Sequence, residues 1–152
     1  MRTLYQRQLE DVVGAEYVRF FTMKDTKNKS IYDLFFATNH RSGIDEMKAA
    51  MWKVDQTGGY LFTDATDPNQ ETLFTAEPDW HQLFDLLLTR FAGTEQPWPF
   101  VEEAIRRTPF RIMRKVLQTE SKKPASRFQI INPEGVRMGT LNNGTSIRFP
   151  SQ

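Results

Sequence analysis

The chain reads as an α+β protein in two parts. A β-hairpin and helix segment comes first, and a winged helix-turn-helix-like domain follows. Three observations predict this. Two runs rich in aromatic and β-branched residues, YVRFFTM and SIYDLFFAT, flank the polar stretch KDTKNK. From residue 79 onward, three helical patterns precede short strand-like runs separated by turn residues. Charge also divides along the chain. Residues 100–152 hold ten Lys and Arg against four Asp and Glu, a net +6, which leaves −5 for the rest of a chain whose total is +1.

Composition sets limits. At 152 residues the chain suits one ordinary domain or two small ones, and 39% hydrophobic residues with twelve Phe and three Trp can build a packed core. The absence of Cys excludes disulfides, thiolate metal sites and a Cys nucleophile, and two His make a His-based metal site a poor fit. No apolar run approaches the roughly 18 residues needed to span a bilayer, and MRTLYQRQLEDVV lacks the apolar core of a signal peptide. A soluble cytoplasmic protein without a membrane partner is expected.

In order along the chain, Leu4, Tyr5, Leu9, Val12 and Val13 space a short amphipathic helix that Gly14 stops. Tyr17 to Met23 and Ser30 to Thr38 are expected to pair antiparallel, because a short polar loop cannot carry a parallel crossover. The second of these strands is apolar on both faces around Leu34, Phe35 and Phe36, so it is expected inside a sheet covered on both sides. Ser42 suits the N-cap of a helix running to Val54, with Ile44, Met47, Met51 and Trp52 as its stripe and Lys48 and Lys53 off it. Tyr60 to Phe62 suggests a short strand after Gly58 and Gly59. Residues 1–63 thus form the first segment, 64–78 a polar linker with two Pro, and 79–152 the second domain.

The second domain opens at Pro78-Asp79. Trp80, Leu83, Phe84, Leu87, Leu88 and Phe91 share one helix face, and Gly93 closes that helix. After a GTEQPWP loop, a second helix is expected over Pro99 to Arg107. A third is expected from Phe110 to Ser121, with Thr108 as N-cap. Arg127 to Asn132, Val136 to Leu141 and Ser146 to Phe149 read as strands, with a turn at Pro133 to Gly135. Helix, helix, helix, strand, turn, strand is the order of a winged helix.

On such a fold the third helix faces nucleic acid. Arg111, Arg114, Lys115 and Gln118 would share its polar face, with Ile112, Met113, Val116 and Leu117 packing inward. Lys122, Lys123, Arg127 and Arg137 would meet phosphates. DNA is favoured over RNA by fold analogy. The same residues also suit the solvated side of any surface helix.

Catalytic patterns are absent. Asp45-Glu46 and Glu102-Glu103 are adjacent pairs that do not face each other on a helix. His40 and His81 each lack an evident partner and read as structural or capping residues. The chain contains no GxGxxG, GxxxxGK[ST], GxSxG or HExxH. No cofactor, metal or catalytic residue is expected.

Residues 20–55, with FTMKDTKNKSIYDLFFATNHRSGIDEMKAAMWKVD, carry a family pattern. LFFATNH after a polar turn, then a helix with the AMWKVD run, resembles the C-terminal part of bacterial three-Cys-motif partner proteins. The resemblance implies the end of a Rossmann-type, methyltransferase-like domain leading into a winged helix, with the hairpin as the last strands of that sheet. The cofactor loop of such a domain follows a first strand that has no counterpart here. No catalytic residue therefore carries over, and a truncated, fragmentary or short form of that architecture is expected. The resemblance also implies an alternative role as a docking module for a methyltransferase-like or radical-enzyme half, or in a homo-oligomer. An apolar patch left open on Phe35, Phe36, Met51 and Trp52 would favour that role.

Overall fold

The computed structural model describes residues 2–25, 27, 29–55, 61–63 and 79–151. It is a mixed α+β protein that divides into two compact units, Met1–Pro78 and Asp79–Gln152. The expected linker, 64–78, lies outside the described residues.

The first unit starts with α1 (Arg2–Asp11), which ends where Gly14 takes a φ of 74°. Strands β1 (Tyr17–Lys24) and β2 (Ser30–Thr38) pair antiparallel, with Phe20 opposite Phe35 and Thr22 opposite Asp33. Asp25 closes the turn between them by accepting from the backbone N–H groups of Lys27 and Lys29. Helix α2 (Arg41–Val54) follows, and β3 (Leu61–Thr63) pairs parallel to β1. The sheet order is β2-β1-β3.

Successive β1 residues face opposite sides of the sheet. Phe21 and Met23 point to the α2 side, where they pack with Met47 and Met51. On the other side Tyr5 of α1 meets Phe35 edge-on, and Arg2 lies over Phe20. Both faces are thus covered, as expected. The strand inside the sheet is β1, however, and β2 lies at the edge. Tyr17, Val18, Phe21 and Thr22 of β1 are buried, whereas Ile31, Tyr32 and Leu34 of β2 are at least half exposed.

Two further expectations for α2 are corrected. His40, not Ser42, occupies the N-cap, and Ser42 lies within the helix. The start is organised instead by Thr38, whose hydroxyl accepts from the His40 N–H, while Gly43 lies so close that an added Cβ would sit 3.0 Å from that hydroxyl. Lys48 is fully buried, not off the stripe. It stands four residues after Ile44 and three before Met51, so the buried stripe passes through it.

In the second unit Asp79 caps α3 (Trp80–Phe91) by accepting from the His81 N–H. Gly93 ends the helix with a φ of 68°. The loop expected next contains β4 (Glu95–Pro97), followed by α4 (Trp98–Arg106), α5 (Arg114–Ser121), β5 (Gln129–Ile131) and β6 (Ser146–Arg148). These strands form a second, antiparallel sheet of order β4-β6-β5. Leu83, Leu87, Trp98, Val101, Ile105, Leu117 and Ile147 fill the core. A run of rings, Phe84 to Phe128 to Phe149 to Phe91, with centroids 5.3–5.8 Å apart, ties α3 to the strand ends.

The third helix is shorter than expected. Thr108 does not start it: its hydroxyl donates to the Ile105 carbonyl and accepts from the Phe110 N–H, which closes α4. Phe110 turns into the core against Trp80. Residues 111–113 therefore lie outside any helix, and α5 begins at Arg114. Val136 to Leu141 is not a strand either. Gly135 and Gly139 adopt φ of 81° and 79°, and residues 132–145 form a turn-rich loop. Asn132 spans that loop: its amide donates to the Thr140 carbonyl and accepts from the Gly139 N–H, both at 2.6 Å.

Two predictions follow from these contacts. Asn132→Ala should destabilise the second unit by roughly 1–3 kcal/mol, read as a lower urea midpoint at an unchanged slope. The second concerns Asp33, which accepts from the buried Thr22 hydroxyl and from Arg2 of α1. Burial raises its carboxyl pKa, but those two donors outweigh it and hold the group below its usual 3.8. A depressed carboxylate stabilises the fold above its unfolded pKa and loses that contribution as pH falls through the folded one. The stability advantage of the native chain over Asp33→Asn should be constant near neutrality and shrink below about pH 4. An advantage that does not change with acidification would rule out this pairing.

Candidate nucleic-acid interface

The eight side chains expected to face nucleic acid do not all share one helix face. Arg111 precedes α5, exposed but outside the helix. Arg114 is the first residue of α5, Lys115 follows it, and Gln118 lies on the next turn. Lys122 occupies the C-cap. Lys123 and Arg127 come after the helix, and Arg137 lies exposed in the β5–β6 loop.

One hydrogen bond brings helix and loop together. The Gln118 side-chain amide donates to the Gly139 carbonyl at 2.8 Å. Lys122 crosses at the same place, since a Cβ added at Gly139 would lie 3.7 Å from its Cε. The exposed flank of α5 and the Gly139 end of the loop therefore form one continuous surface. Gly139 has to be glycine there because its φ is in the left-handed region.

Ion pairs sort the cations. Arg114 reaches back to α4, where its Nη2 lies 2.8 Å from Glu102 and its guanidinium sits 5.6 Å above the centre of the Trp98 ring. Arg106 and Arg107 pair with Glu103, and Arg148 pairs with Glu95. Lys123 pairs with Glu120 at 2.6 Å, and Arg127 pairs with Asp85 of α3 while stacking on Phe84. Of the cations between residues 100 and 152, Arg111, Lys115, Lys122 and Arg137 have no ion pair among the described residues. All four lie on α5, the segment leading into it or the loop beside it.

Trp98, Glu102, Asn132 and Gly139 shape this surface but are not evident from the sequence pattern. The two glycines in the run PEGVRMGT were the available signal, because paired turn formers argue against a strand there. Elsewhere in the second unit an open cleft of about 500 Å³ lies by Thr94, Glu95, Ser126 and Arg148. The Ser146 hydroxyl and Arg148 hold the Glu95 carboxyl below its usual range. Among the described residues, no three His, Asp or Glu side chains gather to hold a metal ion, and no helix is long and apolar enough to cross a membrane. His40 is exposed at the start of α2, and His81 packs edge-on against Phe84.

Comparison of the chain with known protein families, curated proteins and solved structures finds no match in any of the three.

The Arg114 contact sets a measurable expectation. Its side chain is 54% exposed and that of Glu102 20% exposed, so solvent screens the pair. A double-mutant cycle of Arg114→Ala and Glu102→Ala should give a coupling of about 0.2–1 kcal/mol that shrinks with added salt. A coupling near zero at low salt would mean that Glu102 does not position Arg114.

Proposed function

We propose that the second unit is a nucleic-acid-binding winged-helix module, with α5 and the β5–β6 loop as its contact face. The observation that carries this reading is the sorting of charge. The four cations without an ion pair fall on the surface that the Gln118–Gly139 hydrogen bond makes continuous. Element order supports it too: three helices precede the β5–β6 hairpin, and β4 joins that hairpin's sheet. Lys115, Lys122 and Arg137 are assigned to phosphates, with Arg111 beside them. Arg114 and Gln118 stand at the helix positions suited to base edges, where each would share or exchange the partner it already holds, Glu102 and the Gly139 carbonyl. Lys123 and Arg127 are already engaged by Glu120 and Asp85, so they would contribute only by exchanging those partners. DNA is the favoured ligand by analogy with other winged helices. The likeness of residues 20–55 to three-Cys-motif partner proteins agrees with this order of parts and adds no catalytic role.

Binding of a labelled random duplex tests the proposal. Neutralising three phosphates gives a slope of log K against log salt near −2.7, or about a 40-fold loss between roughly 50 and 200 mM salt. Lys115→Ala/Lys122→Ala/Arg137→Ala should flatten that slope while leaving the circular dichroism spectrum intact. No binding at the lower salt would sink the proposal.

A further inference from the structure

The apolar patch expected on Phe35, Phe36, Met51 and Trp52 is not open, for Met51 and Trp52 are buried and Phe35 and Phe36 half-buried. The most exposed large apolar side chain among the described residues is Met138, at 86%. A single exposed apolar side chain is ordinary on a protein surface. What distinguishes Met138 is its mounting. The Thr140 N–H donates to the Arg137 carbonyl, which makes residues 137–140 a tight turn. Met138 holds the second position of that turn. Gly139 holds the third with a φ of 79°, where a type II turn calls for glycine. Asn132 grips Gly139 and Thr140, and Gln118 of α5 donates to the Gly139 carbonyl. The backbone on either side of Met138 is thus fixed, while its side chain is left in solvent. The preceding turn, 133–136, is built alike, with Glu134 in the second position and Gly135 in the third. Among the described residues, no hydrogen bond ties that turn to α5. The turn that is tied to the helix carries the apolar residue and not the acid, beside Lys122 and Arg137, which have no ion pair among the described residues.

We propose, resting on the reading of this face as the nucleic-acid interface, that Met138 is a wedge. It enters the minor groove of duplex DNA and inserts at a base step, so that the module favours steps that unstack easily. With α5 in the major groove, the loop bonded to its flank reaches across the phosphate backbone to the neighbouring minor groove. That groove is about 6 Å wide. It excludes a helix but admits one unbranched side chain carried on a turn. Methionine has no donor for the acceptors that line the floor of an A·T minor groove, so it does not read them by hydrogen bonding. What it gains is burial of apolar surface against the bases. That gain is comparable to the cost of unstacking one step. The wedge is therefore favourable where stacking is already weak, at pyrimidine–purine steps such as TA, and unfavourable in a stiff A-tract. Lys122 and Arg137 neutralise the phosphates beside it. Arg137 acting alone would give the opposite preference, because the narrow minor groove of an A-tract attracts arginine.

Two duplexes of equal length and charge separate these cases, one of alternating TA steps and one a continuous A-tract. Each carries 2-aminopurine, which brightens when it unstacks, in place of several adenines. At about 50 mM salt the full chain should raise the emission of the TA duplex severalfold and leave the A-tract unchanged. It should also bind the TA duplex roughly tenfold more tightly. Met138→Ala and Met138→Gln, which keeps the length but not the apolar character, should lose both the rise and the preference. Their circular dichroism spectra and salt slopes should stay those of the native chain. Met138→Leu should retain both effects. Binding of the two duplexes without a rise in emission, or a rise that survives Met138→Ala, would overturn the wedge and leave the nucleic-acid interface standing. No binding of either duplex would remove both.

Discussion

The burial of Trp98 is the contact on which the second unit is arranged. The side chain is fully buried at the first position of α4, where β4 ends. Its backbone N–H donates to the Thr145 carbonyl at 2.8 Å, which fixes α4 to the chain entering β6. The upper side of its ring carries the Arg114 guanidinium from the start of α5, and Glu102, one turn along α4, holds the other side of that cation. One indole thus relates the sheet, α4 and α5. Its ring N–H has no hydrogen-bond partner among the described residues, so its contribution comes from volume and from the π face, not from a polar link. The geometry of the cationic surface depends on this packing, since Arg114 is set by what lies under it.

The first unit rests on a different constraint. A sheet of three strands can bury its centre only if helices cover both faces, and α1 and α2 do so unequally. Helix α2 commits Ile44, Met51 and Trp52 to the interior. Helix α1 buries nothing completely and is attached by Tyr5 on Phe35 and by Arg2 on Asp33. Burial consequently grades across the sheet, from β1, alternating buried pairs with half-buried ones, to an edge strand with no fully buried residue.

Much of this was legible in the sequence, and the failures have physical causes. The hairpin, both long helices and the Asp79 and Gly93 boundaries follow from patterns that local chemistry dictates. Strand β4 was not legible, because Glu-Gln-Pro has no β preference of its own. It exists through pairing with β6, with the Glu95–Arg148 ion pair across it. The start of α5 was misleading: Thr108-Pro109 is a good start signal, yet the core takes Phe110 and the next three residues stay outside the helix. The two apolar faces of β2 matched a central strand, but centrality is a property of topology, and β1 holds that place. At the candidate interface the residue types were readable, and so was Glu120, three residues before Lys123, whereas the partners that restrain Arg114 and Arg127 come from α4 and α3, and pattern alone does not bring them near.

Those partners change what the charge count means. The sequence of residues 100–152 offers ten cations and an excess of +6, spread without evident order. Folding attaches Arg106, Arg107, Arg114, Lys123, Arg127 and Arg148 to carboxylates. A cation already held by a carboxylate gives up that pair to meet a phosphate, so it adds little to the net attraction, whereas an unpaired one adds nearly its full counterion release. The effective charge of the surface is therefore carried by Arg111, Lys115, Lys122 and Arg137. Their restriction to α5, the segment before it and the loop bound to it concentrates a modest positive charge on one face. A single side-chain hydrogen bond, Gln118 to Gly139, keeps helix and loop together there. On the proposed function, the affinity of this face would be set by those four residues, and discrimination between ligands would fall to the better restrained Arg114 and Gln118.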